Sequence, residues 1–429
     1  MTEILNIYRD IFVSYWWIIA PIALFLFLKH LWVNYLIVKY IRGLEWIILE
    51  VKFPRDLIKT PKAMEQFFAG LHAAEKGRKF KEKYIKGDLP PWFSIEMLGH
   101  GGEIHFYIRT EAKYRNLVES HLYAQYPQAE IIDAEDYINS IPPGTPTADF
   151  DAWGTELILT KQDAYPIRTY PVFFEEKEAE ERTDPIAGLF EFLSSLNPKE
   201  SIAIHILISP ISPVTDKQWI KDGENLVGNI IGKEVKESKK GLMIVEEARS
   251  WLEALGQGIA RFFGLGGEEG AVGGEKKVEK VMPFLTPGQK EVVLAIERNI
   301  GKIGFKTMIR FMYWAPKDLF SKDKPTVVAG FFRQFNTQNL NGFKINKKST
   351  PGRGKIFKRK REPGQRRFFV GIFKKRFFPF HKLKTRGFVF NIEELATIFH
   401  LPGKFVEAER LSKIEAKKGG PPSELPIVQ

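Results

Sequence analysis

The chain has 429 residues, 44% of them apolar and 27% charged, with no cysteine. That length and composition fit about two to four packed domains and exclude a wholly disordered chain. The missing cysteine excludes a disulfide scaffold, an iron–sulfur protein, a zinc ribbon and a thiol nucleophile. The net charge of +12 is uneven. Between Lys344 and Arg386, ten lysines and seven arginines face one acid, Glu362, so this segment carries +16 and the other residues together carry −4. The question of a charged partner therefore belongs to that segment.

Ile11 to Leu28 is an 18-residue run without a charge, bounded by Asp10 and Lys29. As a helix it would reach about 27 Å, near the thickness of a bilayer core. Ser14 and Pro21 are tolerable within such a span. A cleaved signal peptide would need a basic start and a small-residue cleavage site, whereas this start holds Glu3, Arg9 and Asp10 and the run ends in Leu28-Lys29-His30. The reading is an uncleaved anchor, with residues 1–43 as anchor and juxtamembrane segment. Lys29, Lys39 and Arg42 follow the run and Arg9 alone precedes it. The positive-inside rule then puts the chain in the cell membrane as a single-pass protein with its C-terminal body in the cytoplasm. Leu31 to Ile41 is too short to span again and reads as a continuation of the helix or an interfacial segment, with a re-entrant hairpin as the alternative.

The first folded region is predicted over 44–140. Leu44 to Phe53 is β-rich. Thr60-Pro61 opens a helix through Met64, Phe67, Phe68 and Leu71. Trp92 to Leu98 and Glu103 to Arg109 read as strands joined by Gly99-His100-Gly101-Gly102, a hairpin signal. A helix follows through Tyr114, Leu117, Val118, His121 and Leu122, stopped by Tyr126-Pro127, and Ala129 to Ile132 is a short strand. The order is β-α-β-β-α-β, the ferredoxin-like plan.

After the turn-rich Ile141 to Pro146, the second region is predicted over 150–400. Its strands are Thr155 to Thr160, Ser201 to Ile208, Phe305 to Trp314 and a last one around Gly387 to Phe390. Helices are expected from Asp184-Pro185, from Thr286-Pro287 and around Thr326 to Gln338. The acidic run Glu175 to Glu181 reads as a surface connection. A mainly helical insertion occupies about 215–300, including a Gly/Glu linker from Gly264 to Gly274. The fold class expected is α+β, an N-terminal transmembrane helix followed by two ferredoxin-like halves, the second with the helical insertion. Residues 401–429 read as a polar tail.

The most specific local signal lies near the C-terminus. Asn391 precedes Ile392-Glu393-Glu394-Leu395-Ala396-Thr397-Ile398-Phe399, with Glu394 where a capping-box acid belongs, and His400-Leu401-Pro402-Gly403 ends the helix. This string resembles a segment of type IV secretion and HerA-like DNA-pumping ATPases, where it lies between an accessory N-terminal region and the nucleotide-binding domain. Pro421-Pro422-Ser423-Glu424-Leu425-Pro426 resembles the lead-in to that domain. Phe335 to Gly342 and Glu103 to Ile108 add patchy similarity over roughly 44–426. The resemblance implies a membrane-anchored accessory region. The departure is the motor: no G-x-x-x-x-G-K-[ST] string exists, and Gly301 to Thr307 lacks the Gly before its Lys. The implied partner is an ATPase on another chain; a truncated gene product is the rival.

Catalytic signals are sparse. His100, Glu103, His105 and His121 could converge on a metal, but their plainer reading is polar residues on a hairpin and its flank. Asp133, Glu135 and Asp136 read as a solvated acidic loop. There is no Gly-x-Ser-x-Gly elbow. The expectation is a non-enzyme without cofactors. The basic stretch supplies the candidate binding residues, Lys355, Lys358, Arg359, Lys360, Arg361, Arg366, Arg367, Lys374, Lys375 and Arg376, interleaved with phenylalanines. Three occupants stay open for it: nucleic acid stacked on the aromatic faces, an anionic leaflet held near by the anchor, or an acidic protein. Phe368-Phe369-Val370 and Phe377-Phe378 equally suit a strand or a core. The function expected is an accessory or assembly subunit of a type IV secretion-like system docking a separate ATPase and able to form homo-oligomers; the alternative is a membrane-tethered nucleic-acid-binding protein.

Overall fold

The computed structural model describes residues 2–54, 59–77, 82–174, 184–212, 218–232, 285–352, 358–378, 387–402 and 413–414. The acidic run Glu175 to Glu181, the Gly/Glu linker, much of the helical insertion, Lys355 and most of the polar tail lie outside them.

Helix α1 (Thr2–Arg42) is unbroken and takes Pro21 in its interior. At 1.5 Å per residue it extends about 60 Å, twice a bilayer's hydrocarbon core. Among the described residues it is the one helix long and apolar enough to cross a membrane. Leu24 to Leu28 are all exposed. Leu31 to Ile41 continues the same helix. Its last turns dock on the body: Leu36 is buried, and Ile37, Tyr40 and Ile41 pack against a cluster of Leu89, Trp92, Leu207, Met308 and Phe378. Gly87, at φ +68°, lets the chain pass under this helix. A Cβ there would sit 2.6 Å from the Leu36 carbonyl carbon.

The body is α+β. Its strands are β1 (Trp46–Pro54), β2 (Phe93–His100), β3 (Glu103–Glu111), β4 (Glu130–Asp133), β5 (Phe150–Leu159), β6 (Ser201–Pro210), β7 (Gly304–Pro316), β8 (Phe343–Ile345), β9 (Phe388–Asn391) and β10 (Lys413–Ile414). They form one sheet in the order β10-β1-β3-β2-β6-β7-β5-β8, with β4 beside β1 and β9 beside β7. Every pairing is antiparallel except β1 with β10. The first four strands lie β4-β1-β3-β2 and the next four β8-β5-β7-β6, the same relative order twice. The two sets join along β2 and β6, paired from Phe93–Ile208 to His100–Ser201. The β2–β3 hairpin turns on Gly101 and Gly102, both at positive φ, as a two-residue turn requires.

In the second set one strand is added and one helix is shorter than expected. The strand beside β5 is β8, three residues at the start of the stretch read as basic, while the strand expected around Gly387–Phe390 lies elsewhere. Those residues form β9, which pairs with Gly304 to Thr307. The 13-residue β7 outlasts its pairing with β5, which covers Ile309 to Pro316, and so offers β9 a free edge. The helix expected to reach Gln338 stops at Arg333. Asn336 then turns its amide onto the backbone of Phe343, accepting from its N–H at 2.6 Å and donating to its carbonyl at 3.1 Å. Such side-chain bonding competes with the helix ladder.

Both sheet faces are covered. On one, alternate apolar residues such as Phe93, Ile95 and Met97 meet α2 (Pro61–Leu71), α3 (Arg115–Gln125), α5 (Ala187–Ser194), α8 (Lys324–Arg333) and α10 (Ile392–Ile398) in the main core. Short α4 (Tyr170–Phe174) touches the same side through Tyr170. Helices α6 (Gln218–Ile231) and α7 (Pro287–Ile300) pack together beside it. The other face is covered by α9 (Lys358–Lys375), which seats Phe369, Val370 and Phe373 against Leu98, Ala203, Met312 and Trp314.

Candidate functional site

The sheet face turned to α9 carries a line of polar residues near the middles of its strands. There, adjacent residues in register run Glu50–Tyr107–Glu96–His205–Arg310–Glu156 across β1, β3, β2, β6, β7 and β5. Directly opposed residues share a face, so the six side chains form one polar row. Glu96, His205, Arg310 and Glu156 have no exposed surface. Leaving such groups unpaired would be costly, and most of their polar atoms find partners from above the sheet, His205 Nδ1 and Arg310 Nε excepted.

Its centre is filled from α9. Arg376 follows the last turn at φ +45°, a region most side chains avoid. Its Nη2 donates to Glu96 Oε2 at 2.9 Å, and its Nη1 donates to both Asp136 oxygens at 2.8 and 2.7 Å. Burial alone would lower the Arg376 pKa; the charges of Glu96 and Asp136 outweigh it and the shift is upward. Tyr137 Oη donates to Glu96 Oε2 at 2.6 Å and meets His205 Nε2 at 2.7 Å. That places the imidazole proton on Nε2, leaving the buried Nδ1 without a hydrogen-bond partner. Burial, then Arg376, Arg310 and Arg109, push the His205 pKa well down, so the ring is neutral. Its face stacks on Phe373 at 3.8 Å. Burial, then Glu96, hold the Tyr137 phenol well above its ordinary value. Burial and the neighbouring Arg376 bring Arg109 down to about 10.

Arg310 reaches up from the sheet and donates to the Ile372 carbonyl at 3.1 Å, within the last turn of α9, where a cation suits the helix dipole. In the His205–Tyr137–Glu96 chain the two end groups are closed to solvent and Tyr137 is partly exposed. Through Arg376 this chain ties the end of α9 to the sheet.

The sequence-predicted binding residues are split by this arrangement. Arg366 and Arg376 are buried. Arg366 bonds Asp151 at 2.7 Å and Glu362 at 2.6 Å. Lys374 is half-buried, donates to the Ile141 carbonyl at 2.7 Å, and has its pKa lowered by burial. Arg367 and Lys375 face outward. Lys358, Arg359, Lys360 and Arg361 form the first turn of α9. Phe369 and Phe373 are core residues on a helix. His105 bonds Glu50, His100 bonds Ser201, Asp133 is paired with Arg115, and the partly exposed Asp136 accepts from Arg376 beside the row. Among the described residues, no three of His, Asp and Glu converge as a metal site.

Sequence reasoning missed Glu96, His205, Arg310 and Glu156. For His205 the signal was one ionisable residue in an otherwise apolar run, Ile202-Ala203-Ile204-His205-Ile206-Leu207-Ile208; the strands of Glu96, Arg310 and Glu156 carry a second ionisable residue each. No curated protein matches the chain. One family model spans residues 42–413, the body beyond α1; the chain belongs to this family, the domain of unknown function DUF8128.

Proposed function

We propose that the chain is a non-catalytic accessory or assembly subunit of a type IV secretion-like translocation system, anchored by α1 and docking a separate ATPase from its cytoplasmic body. The body would then be two ferredoxin-like units fused edge to edge, a reading supported by the repeated strand order. The observation that carries the proposal is the seating of α1: one continuous helix runs from its apolar stretch into a cluster shared with the sheet and with Phe377 and Phe378. A body fixed to its anchor this way suits a scaffold that sets the position of something larger. The cytoplasmic orientation rests on Lys29, Lys39 and Arg42 following the apolar run. The resemblance of Asn391 to Pro402 to a segment that precedes the motor in pumping ATPases is what supports a link to a separate motor.

The experiment is co-purification in detergent of the full chain with a pumping ATPase that lacks its own accessory region, tested with and without residues 415–429. The expected result is a complex that weakens on truncation. Nucleotide hydrolysis by the purified chain alone, or recovery of the full chain from membranes without detergent, would overturn the proposal.

A further inference from the structure

We infer that the outward face of α9 is a contact surface for an anionic lipid leaflet. The inference rests on the membrane-anchor part of the proposed function. Arg366, Phe369, Val370 and Phe373 point into the body, while Arg367, Phe368, Gly371 and Lys375 lie on the outward side at spacings of three, four and seven. Phe368 is 71% exposed, the most exposed large apolar side chain among the described residues. Helix α9 carries eight cationic residues and one acid. An aromatic side chain standing out among cations on one helix face is the pattern of interfacial helices, in which the ring enters the headgroup region and the cations meet lipid phosphates.

Position selects lipid over the other polyanions. Phe377 and Phe378, directly after α9, pack in the same cluster as Ile37, Tyr40 and Ile41 of α1. The C-terminal end of the basic helix is therefore held where the anchor enters the body. On α1, Trp32 and Tyr35 are exposed, with ring centroids 6.0 Å apart, the residue types that settle at headgroups. From Trp32 to Ile41 the helix climbs only about 14 Å. The Lys375 end of α9 is thus held about 14 Å, under two screening lengths of about 8 Å, from the surface that the anchor defines, with Arg367 about two turns further along the helix. A soluble nucleic acid would have no reason to prefer this end of the body.

The lack of native cysteine makes a direct test available. Phe368→Cys in the full chain takes one environment-sensitive fluorophore, and Leu294→Cys, an exposed position on α7, serves as the reference. Each labelled chain is reconstituted into phosphatidylcholine bilayers with or without about 30 mol% phosphatidylserine, in the presence of a lipid-borne quencher. The expected result is quenching at 368 that exceeds that at 294 by about threefold with phosphatidylserine and falls with added salt. Arg367→Glu with Lys375→Glu, exposed positions whose exchange leaves the core untouched, should abolish the difference. Equal quenching at both positions with the chain still bilayer-inserted would overturn the lipid surface while leaving the anchor standing. A response at 368 to added single-stranded DNA but not to phosphatidylserine would overturn it in favour of nucleic acid. Release of the chain from the bilayer would overturn the anchor and the lipid surface together.

Discussion

Arg376 and Glu96 approach to 2.7 Å, guanidinium Nε to carboxylate Oε1, between α9 and the sheet where neither is open to solvent. The pair joins residues 280 positions apart and is the point at which the helix is tied to the row beneath it. Removing one member of a buried pair strands the other, which costs more than the pair itself contributes. Arg376→Ala should therefore destabilise the body by about 3–5 kcal/mol. Pairing it with Glu96→Gln should recover part of that loss, since a neutral amide tolerates the vacancy better. Denaturant midpoints of the detergent-solubilised chain check both; a double variant no better than the single one would contradict this account.

Helix α9 is also seated by shape. Gly154 on β5 lies under Phe369, and a Cβ at 154 would sit 2.3 Å from the ring carbon Cε1 and 2.7 Å from the Phe311 carbonyl oxygen. Gly154→Ala must lift the ring and press on backbone that cannot yield. The expected loss is roughly 1–3 kcal/mol, the usual range for overpacking. Protease cleavage should increase within 358–378 more than in the β2–β3 hairpin. Uniform cleavage would mean that the helix and sheet open together.

The coupling of α1 to the body can be loosened without touching the main core. At Gly87, a positive φ and the Leu36 backbone both oppose a side chain. Gly87→Val should cost about 2 kcal/mol or more from the backbone conformation and the displacement of α1. Lys76 and Asp88 flank this contact with a 2.7 Å ion pair in which the lysine is exposed and the carboxylate buried. The measurement is distance between spin labels on α1 and on α3, which should broaden in Gly87→Val and stay narrow in Lys76→Ala.

Local chemistry was legible in the sequence wherever it acts through neighbours in the chain. The Gly101-Gly102 turn, the Thr286 and Asn391 caps and the apolar spacing of α2 all follow from residues within a few positions of one another. The seat of the basic stretch was not legible, because Arg366, Arg376 and the aromatics of α9 acquire partners only through strand register, which puts Glu96 beside His205 from 109 positions away. A cation on paper has the same charge whether it faces lipid or a buried carboxylate. The helix spacing of Phe369, Val370 and Phe373 was readable, but the run of seventeen cations obscured it.

One buried acid gives the protein a pH dependence of definite sign. Burial raises Asp163 from 3.8 to about 6, opposed by the bond its Oδ2 accepts from the Val389 N–H and reinforced by Asp222. Over this window the folded chain keeps a proton that the unfolded chain has released. Stability from this group is therefore fully present below about pH 4 and is lost as pH rises to about 6. Asp163→Asn keeps an oxygen for Val389 and removes the ionisation. It should flatten stability between pH 4 and 6 and raise it at pH 7 by roughly 1–3 kcal/mol. Urea midpoints across that range decide the matter, and an unchanged slope in the variant would assign the dependence elsewhere.

The two capping boxes offer a controlled contrast. Thr286 and Gln289 close α7 in an exposed position, while Asn391 and Glu394 close α10 inside the core. The side chain of Asn391 accepts from the Glu394 N–H at 2.8 Å and donates to Asn299 Oδ1 at 2.7 Å. Glu394 answers with one oxygen to the Asn391 N–H at 3.1 Å and the other to the Ile167 N–H at 3.0 Å, so this cap ties β9 and α10 to the loop that leads into α4. Thr286→Ala should cost about 0.5–1 kcal/mol, since water replaces the lost acceptor. Asn391→Ala removes the same kind of cap where water is excluded, and it also strips the Asn299 side-chain oxygen of its donor, while the amide nitrogen keeps its bonds to the Asp163 and Ala164 carbonyls. Its cost should reach about 2–3 kcal/mol, the cap plus an unsatisfied buried group. Equal losses for the two variants in the same denaturant series would mean that the C-terminal cap is hydrated, and would remove the reason for treating α10 as part of the core.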